Sequence, residues 1–153
     1  ERLQWLLDAH PDAVIMVVTE SHPDRPDTAV EGIDEVIKPL ADAGITVVGL
    51  RDNPRFDSSP YECTQREGTD RGHLTGCVTP ASYSYAQIMP DKQLRHVSGY
   101  VPIDTSSLIC PDGLCWSIIG NVYVYLDNNH LTKVYSQTLA DYFNKAMPPI
   151  GDE

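Results

Sequence analysis

The sequence predicts an α/β fold, a three-layer α/β/α sandwich built around a mainly parallel sheet. Residues 13–19 (AVIMVVT) and 45–50 (ITVVGL) are continuous apolar runs, the pattern of strands buried on both faces of such a sheet. Residues 30–43, between them, repeat apolar side chains at helical spacing. Helices alternating with buried strands are typical of doubly wound domains, whose active sites gather at the C-terminal strand ends. With 153 residues, the chain fits one such domain, 1–153.

The remaining elements complete this arrangement in chain order. A first helix is predicted because Leu3, Leu6 and Leu7 share one of its sides. Pro39 is expected to kink or shorten the helix at 30–43, since proline lacks the N–H that an inner helical turn requires. The other predicted elements are a helix at 1–9, loops at 20–27 and 51–79, a helix at 80–94, strands at 99–104 and 118–125, and an amphipathic helix at 131–147.

Charge and apolar content exclude several classes of protein. The net charge of −11, with no cluster among the 11 Lys and Arg, argues against nucleic acid as a partner, because phosphate binding requires a basic surface. No apolar run approaches the roughly 20 residues that cross a bilayer. The chain opens on a helix without an initiator Met or signal peptide, which suggests a fragment of a longer protein. No cofactor is expected.

The four cysteines form two local pairs, Cys63 with Cys77 and Cys110 with Cys115. Neither pair has the two-residue spacer typical of zinc sites, so no metal is expected. Each pair instead brackets a loop rich in Gly, Pro or Asp. Two disulfides are therefore predicted, and they imply an oxidising, extracytoplasmic compartment. The alternative is four free thiols in a cytosolic protein.

The candidate chemistry lies in the stretch YLDNNHLT, at the predicted junction between a strand and the last helix. Asp127 and His130 are three positions apart, close enough to meet across a tight turn. A histidine base requires a partner carboxylate that fixes its tautomer and stabilises the imidazolium. The alternative is a helix N-cap, in which Asp127 or Asn129 accepts a backbone N–H and His130 is merely exposed. Spacing and position leave both interpretations open.

Several segments together resemble a known family. The string ICPDGLCWSIIGNVYVYLDNNHLT resembles the end of the extracytoplasmic SGNH-type domain attached to membrane-bound acyltransferase-3 proteins, which O-acylate bacterial envelope polysaccharides. Its D-x-x-H-L segment matches Asp127, His130 and Leu131, and its C-x₄-C loop matches Cys110 and Cys115. GITVVGLRDNPRF…PYEC is similar to the family's strand, R-D-x-P loop and cysteine, and VPIDTSSLIC to the segment before the final loop. The likeness covers about residues 11–145.

The resemblance implies both a fold and an activity. The fold would be flavodoxin-like, of the SGNH hydrolase type, and Asp127 and His130 would be the acid and base of a Ser-His-Asp triad. The activity would be transfer of an acyl group, most simply acetyl, to cell-envelope carbohydrate. The partners would be a carbohydrate acceptor and a membrane-embedded acyltransferase domain that tethers this domain outside the cytoplasm.

One feature of the family is missing. Its members carry the nucleophile in a G-D-S segment after the first strand, and this chain contains no Gly-Asp-Ser. The first strand and the serine are therefore expected in an N-terminal segment upstream, without which this polypeptide would be inactive. Ser21, within Glu20-Ser21-His22, is a weaker candidate for the nucleophile, because a nucleophile elbow requires small neighbours. A carbohydrate esterase and a non-catalytic glycan-binding module on an esterase-like scaffold are the competing functions.

Residues for substrate or the oxyanion are less defined. Arg51 and Asn53 follow a predicted strand at the active-site edge, where either could contact substrate or the oxyanion. For Arg51, a structural salt bridge is the alternative. Gly120-Asn121 matches the family's letters but not their order along the chain, and is interpreted as a turn or bulge.

Overall fold

The computed structural model describes residues 2–69 and 75–150. In this part of the chain the strands are β1 (Ala13–Val17), β2 (Thr19–Glu20), β3 (Thr28–Ala29), β4 (Thr46–Leu50), β5 (Thr79–Pro80), β6 (Tyr100–Ile103), β7 (Leu114–Cys115), β8 (Ile118–Ile119) and β9 (Val122–Tyr123). The α-helices are α1 (Arg2–Ala9), α2 (Ile33–Asp42), α3 (Pro60–Glu67), α4 (Ser106–Ile109), α5 (Lys133–Thr138) and α6 (Ala140–Ala146), with 3₁₀ turns at Thr75–Cys77, Ala81–Tyr83 and Pro111–Gly113.

A parallel sheet forms the centre of the fold, with strand order β1-β4-β6. Val17 pairs with Leu50 and Leu50 with Ile103, so the carboxyl ends of the three strands lie at one edge. These strands lie where they were predicted, and an α/β fold with a parallel sheet is confirmed. Ligand sites of such sheets are found outside the carboxyl ends of the strands.

Helices α1 and α2 cover one face of this sheet. Ile37 and Leu40 of α2 are fully buried against Val47 of β4, and Leu6 of α1 packs against the same cluster. The helix α2 has 10 residues, because it begins at Ile33 and not at residue 30; it continues through Pro39 and ends at Asp42, so Pro39 does not shorten it. Burial of this apolar stripe positions β4, whose end carries the loop beneath the candidate site.

Strand β1 is exposed in a way that was not predicted. It pairs only with β4 in the described residues and forms one edge of the sheet. Val14 and Met16 pack toward the helices, but Ile15 is 57% exposed and Val17 47% exposed. The prediction that this strand is buried on both faces is therefore wrong, whereas Val47 and Val48 of β4 are fully buried.

The predicted helix at 80–94 is wrong. The segment forms the 3₁₀ turn Ala81–Tyr83 followed by bends and turns. Pro90 opposes a continuous helix, because it removes a backbone donor and restricts the residue before it. The carbonyl of Ser84 accepts a hydrogen bond from the N–H of Asp27, 2.9 Å away, so tertiary contacts take the place of helical ones.

The predicted single strand at 118–125 and single helix at 131–147 are also wrong. The first is split into the antiparallel hairpin of β8 and β9, and Gly120 takes a positive φ of 62° at the predicted turn. The second consists of α5 and α6, which meet at Leu139. A second buried cluster lies beneath the hairpin and these helices and includes Phe56, Ile109, Val124, Tyr125, Tyr135 and Leu139.

Both predicted disulfides are formed. Cys63–Cys77 joins α3 to the 3₁₀ turn Thr75–Cys77, and Cys110–Cys115 closes the short loop before β8. The helix α3 lies inside the segment predicted as a loop at 51–79, where Ser59 caps it by accepting the N–H of Glu62. Disulfides persist in oxidising compartments, so the two bridges indicate an extracytoplasmic domain.

Candidate functional site

Asp127 and His130 form a hydrogen-bonded pair in a tight turn. The turn is closed by an antiparallel bridge between Tyr125 and Leu131. One carboxylate oxygen of Asp127 accepts the backbone N–H groups of Asn129 and His130, each at 2.8 Å. The other oxygen lies 2.8 Å from His130 Nδ1. Because an ionised carboxylate can only accept, Nδ1 carries the proton and Nε2 is left with its lone pair.

The outer side of the histidine is accessible. The side chain of His130 is 73% exposed and that of Asp127 is 45% exposed. Nε2 has no hydrogen-bond partner among residues 2–69 and 75–150. A hydroxyl group from outside this part of the chain can therefore approach the unprotonated nitrogen.

The electrostatics of the turn favour the ionised form of Asp127. The backbone N–H of His130, its side chain and then the backbone N–H of Asn129 lower the pKa of Asp127 to about 2. Asp127 is thus a carboxylate at neutral pH and can stabilise a positive charge on the imidazole.

A titration tests this arrangement. The carboxyl of Asp127 is expected to titrate at about 2, and His130→Ala is expected to raise that midpoint while leaving it below the ordinary 3.8. The rise follows from loss of the ring donor, and the remaining depression follows from the two backbone N–H groups. Because the pKa of Asp127 is lowered in the folded protein, its ionised form stabilises the fold above the ordinary carboxyl pKa. This stabilisation is lost as the pH falls through about 2.

The measurement is the carboxyl ¹³C shift of Asp127 against pH, assigned by the loss of its signal in Asp127→Asn. A wild-type midpoint near 3.8, or no change in His130→Ala, would contradict the hydrogen-bonded turn.

The turn is attached to the loop that follows β4. The side-chain amide of Asn129 donates to the carbonyl oxygens of Asn53 and Pro54, at 3.2 and 3.3 Å. Its oxygen accepts from Arg55 Nη2 at 3.2 Å. Asn129 is 7% exposed, so these bonds replace water and hold the turn in one place. Asn53 therefore contributes to the site through its main-chain carbonyl.

A second attachment lies beside the first. The N–H of Phe56 donates to the carbonyl of Asn128 at 2.9 Å, and the Phe56 ring packs edge-on against Tyr125 at 4.9 Å. Tyr125 is fully buried directly before the turn. The pair of Asp127 and His130 is thereby fixed from both ends at the edge of the sheet where the strands end.

The N-cap interpretation of this stretch is wrong. Helix α5 begins at Lys133, and its N-cap is Thr132, whose hydroxyl oxygen accepts the N–H of Tyr135 at 3.1 Å. The N–H groups that Asp127 accepts belong to the turn and not to the helix.

Ser21 lies apart from the pair. Its hydroxyl donates to the Asp52 carboxylate at 2.7 Å, and its backbone N–H donates to the same oxygen at 3.1 Å. Ser21 is 2% exposed. The structure thus joins this serine to a carboxylate and does not bring it to His130.

Arg51 is enclosed in a network of ion pairs. Its guanidinium donates to both carboxylate oxygens of Asp27 at 2.8 Å, to Asp104 at 3.0 Å, to Ser106 at 3.4 Å and to the carbonyl of Ala86 at 2.6 Å. Burial alone would lower the pKa of Arg51, but Asp27 and then Asp104 outweigh it and raise that pKa. With the guanidinium engaged on all sides, little of it is left for a substrate.

A small groove of about 210 Å³ lies at the carboxyl ends of β1 and β4. Val17, Leu50, Leu131, Leu139 and Phe143 line it together with the polar residues Arg51, Asp52, Asn53, Thr105 and Ser136. Because Leu131 directly follows His130, this groove adjoins the pair. Asn129 positions the turn, whereas the sequence suggested it only as a possible N-cap. Its place between Asp127 and His130 was the only local signal for the positioning role.

Among the described residues, no helix is long and apolar enough to cross a bilayer. No group of three or more His, Cys, Asp or Glu within 2–69 and 75–150 is arranged to hold a metal ion.

Comparison with known proteins identifies the family. A family model described as "SGNH domain (fused to AT3 domains)" matches residues 1–145. No curated protein and no solved structure matches the chain. The matched region covers nearly the whole of the 153 residues and includes the pair, both disulfides and the three parallel strands. The chain therefore belongs to the SGNH domains that are fused to AT3 domains.

Proposed function

We propose that this domain supplies the base and acid of a Ser-His-Asp triad in an O-acyltransferase that transfers an acyl group, most simply acetyl, to cell-envelope carbohydrate. The observation that carries the proposal is the 2.8 Å contact between Asp127 and His130 Nδ1, with Nε2 left accessible. This is the arrangement in which an imidazole accepts a proton from an alcohol.

The reaction proceeds in two balanced steps. Nε2 of His130 accepts the proton of a serine hydroxyl while the serine oxygen attacks the acyl carbonyl carbon of the donor. The imidazolium, stabilised by Asp127, returns the proton to the leaving group, and the acyl group remains on serine. In the second step Nε2 accepts the proton of a sugar hydroxyl, whose oxygen attacks the acyl-serine, and the proton passes to the departing serine oxygen.

The nucleophile comes from an upstream N-terminal segment. The free edge of β1 and the exposed side chains of Ile15 and Val17 support this part of the proposal, because they suit a further parallel strand. A strand added there ends at the same sheet edge as the pair of Asp127 and His130. With this strand the sheet is extended, and the complete domain is a single three-layer α/β/α sandwich of the flavodoxin-like, SGNH hydrolase type.

The acyl donor reaches the site from the membrane. Fusion of family members to AT3 domains suggests a membrane acyltransferase domain as the partner, and the two disulfides indicate that the SGNH domain lies outside the cytoplasm. In the full-length protein the domain is thus tethered at the outer face of the membrane, where envelope carbohydrate is available.

A covalent probe tests the proposal on the full-length protein. A fluorophosphonate is expected to label one serine upstream of residue 1, identified by peptide mapping, and His130→Ala is expected to abolish the labelling. Labelling of Ser21 would contradict the proposed nucleophile. Absence of any labelled serine would favour the glycan-binding module, and hydrolysis of an acetyl ester without transfer to added carbohydrate would favour the esterase.

A further inference from the structure

A large groove lies beside the hairpin of β8 and β9. Its volume is about 1080 Å³, and it is open along one side. Small-molecule pockets occupy roughly 300–1,000 Å³, so a groove of this size suits a chain-like ligand better than a compact one. Trp116, Ile119, Asn121 and Tyr123 are among the residues that line it.

We infer that this groove binds the acceptor as a neutral pyranose chain, with sugar rings stacked on Trp116 and Tyr123 and with Asn121 bonded to their hydroxyls. The inference rests on the proposed function for the reaction that follows, but it concerns binding. The first support is that both aromatic residues are half-buried and line the groove, so part of each ring is available to a ligand.

The ring of Tyr123 is held in one orientation. Tyr61 packs edge-on against it at 5.1 Å, and Gln65 Nε2 donates to its hydroxyl at 3.1 Å. The hydroxyl of Tyr123 remains able to donate its own proton to a ligand. A fixed aromatic plane with a polar tip matches a pyranose, which has apolar C–H faces and a rim of hydroxyls.

The described part of the lining offers no ionic partner to a charged ligand. None of the described residues that line the groove carries a charge, and Asn121 contributes an exposed amide at the hairpin turn. The net charge of −11 further disfavours an anionic chain. A purely apolar ligand would cover the Asn121 amide without bonding it, which costs binding free energy.

The groove lies beside both disulfides. Trp116 directly follows Cys115, which is bonded to Cys110. Cys115 also pairs with Thr79 in the β5–β7 ladder. Thr79 lies two positions after Cys77, which belongs to the other disulfide. Both disulfides thus brace the same region, and a site that is already ordered loses less conformational entropy when it binds.

The groove and the pair of Asp127 and His130 are close along the chain. Tyr123 and Asp127 are four positions apart, which is at most about 14 Å of extended chain. The hydroxyl of Thr132 donates to the carbonyl of Tyr123 at 2.6 Å, so the chain returning from the turn at His130 lies against β9. A polysaccharide bound in the groove therefore has a neighbouring sugar within reach of His130.

Titration of the full-length protein with carbohydrate tests the inference. The probes are maltohexaose, cellohexaose, chitohexaose and the de-O-acylated envelope polysaccharide of the source organism, with binding followed by calorimetry. At least one probe is expected to bind. Trp116→Ala and Tyr123→Ala are each expected to weaken that binding about 10-fold or more, and Trp116→Phe, which keeps a ring, is expected to weaken it less.

Tyr83→Ala is the matched control, because Tyr83 is 55% exposed and lies outside the groove. It is expected to leave the dissociation constant unchanged. Failure of all four probes to bind, or binding that Trp116→Ala and Tyr123→Ala leave unchanged, overturns the inference. Unfolding midpoints close to that of the wild type exclude misfolding as the cause of a loss.

Binding and catalysis are separable in this design. His130→Ala is expected to retain carbohydrate binding while transfer is lost. Binding in the groove without any transfer by the wild-type protein would mean that the proposed function fails and the groove remains. Transfer whose KM for carbohydrate is unaffected by Trp116→Ala would mean that the groove inference alone fails.

Discussion

Replacing His130 with alanine is expected to lower kcat for acyl transfer by about 10⁴-fold, because the serine then has no base and its hydroxyl proton has no acceptor. The 2.8 Å contact with Asp127 and the accessible Nε2 are the observations behind this expectation. The measurement is transfer of acetyl from an activated ester to carbohydrate by the full-length protein. Asp127→Asn is expected to cost a similar factor, about 10⁴, since a neutral amide does not stabilise the imidazolium and its NH₂ group favours the wrong tautomer of His130.

The histidine variant comes with a matched control. His96 is exposed and contacts none of the site residues, so His96→Ala is expected to retain full activity. The side chain of His130 is 73% exposed, and its removal is expected to leave the unfolding midpoint nearly unchanged. A His130→Ala protein that retains activity within about tenfold of the wild type would exclude the triad role.

Replacing Arg51 with methionine is expected to destabilise the fold by about 3–5 kcal/mol, because it leaves the buried charge of Asp27 without its cationic partner. The side chains of Arg51 and Asp27 are 2% and 0% exposed, and the Arg51 guanidinium also lies 4.5 Å from the centre of the Tyr85 ring. Arg51 joins the end of β4 to segments before β3 and after β6. The measurement is the free energy of unfolding in urea.

A double variant separates the charge from the packing. Asp27→Asn in the Arg51→Met background is expected to restore part of the stability, since the unpaired charge is removed. Lys38→Met is the matched control, because Lys38 and Asp34 form an exposed pair at 2.8 Å, and its unfolding midpoint is expected to match the wild type. Equal effects of Arg51→Met and Lys38→Met would contradict the structural role of Arg51.

The stability that the Arg51 ion pairs provide depends on pH. Burial opposes ionisation of Asp104, but hydrogen bonds from Ser106 and the charge of Arg51 outweigh it and lower its pKa. A lowered folded pKa gives stabilisation that is present above the ordinary carboxyl pKa and is lost as the pH falls through the folded value. Arg51→Met is therefore expected to reduce the acid dependence of stability.

The helix-versus-strand assignments succeeded where local periodicity was enough. The strands β1, β4 and β6 are short apolar runs, and the helix α2 repeats apolar side chains at helical spacing, so their positions were predictable. The elements that failed lack that regularity. Pro90 and the contact between Ser84 and Asp27 disrupt 80–94, and Gly120 divides 118–125.

The close approach of β4 and β6 was also invisible in the sequence. A Cβ at Gly49 would lie 2.5 Å from the ring of Tyr100, so this strand position requires glycine. The pattern ITVVGL indicates a buried strand, but it does not reveal which side chain packs over the glycine.

The features that the sequence determined by itself depend on short separations along the chain. Asp127 and His130 are three positions apart, and the two disulfides span 5 and 14 positions, so a turn or a small loop is enough to bring each pair together. The proximity of each pair was therefore readable from spacing, although spacing left the N-cap alternative for Asp127 and His130 open.

The tertiary structure decided what the isolated polar residues do. Arg51 meets Asp27 across 24 positions, Ser21 meets Asp52 across 31, and Asn129 meets Asn53 across 76. Each of these polar groups is buried and must find a partner, and the identity of that partner depends on which segments the sheet brings together. No spacing rule connects residues so far apart, which is why an ion-pair network, a sequestered serine and an anchored turn became visible only in the fold.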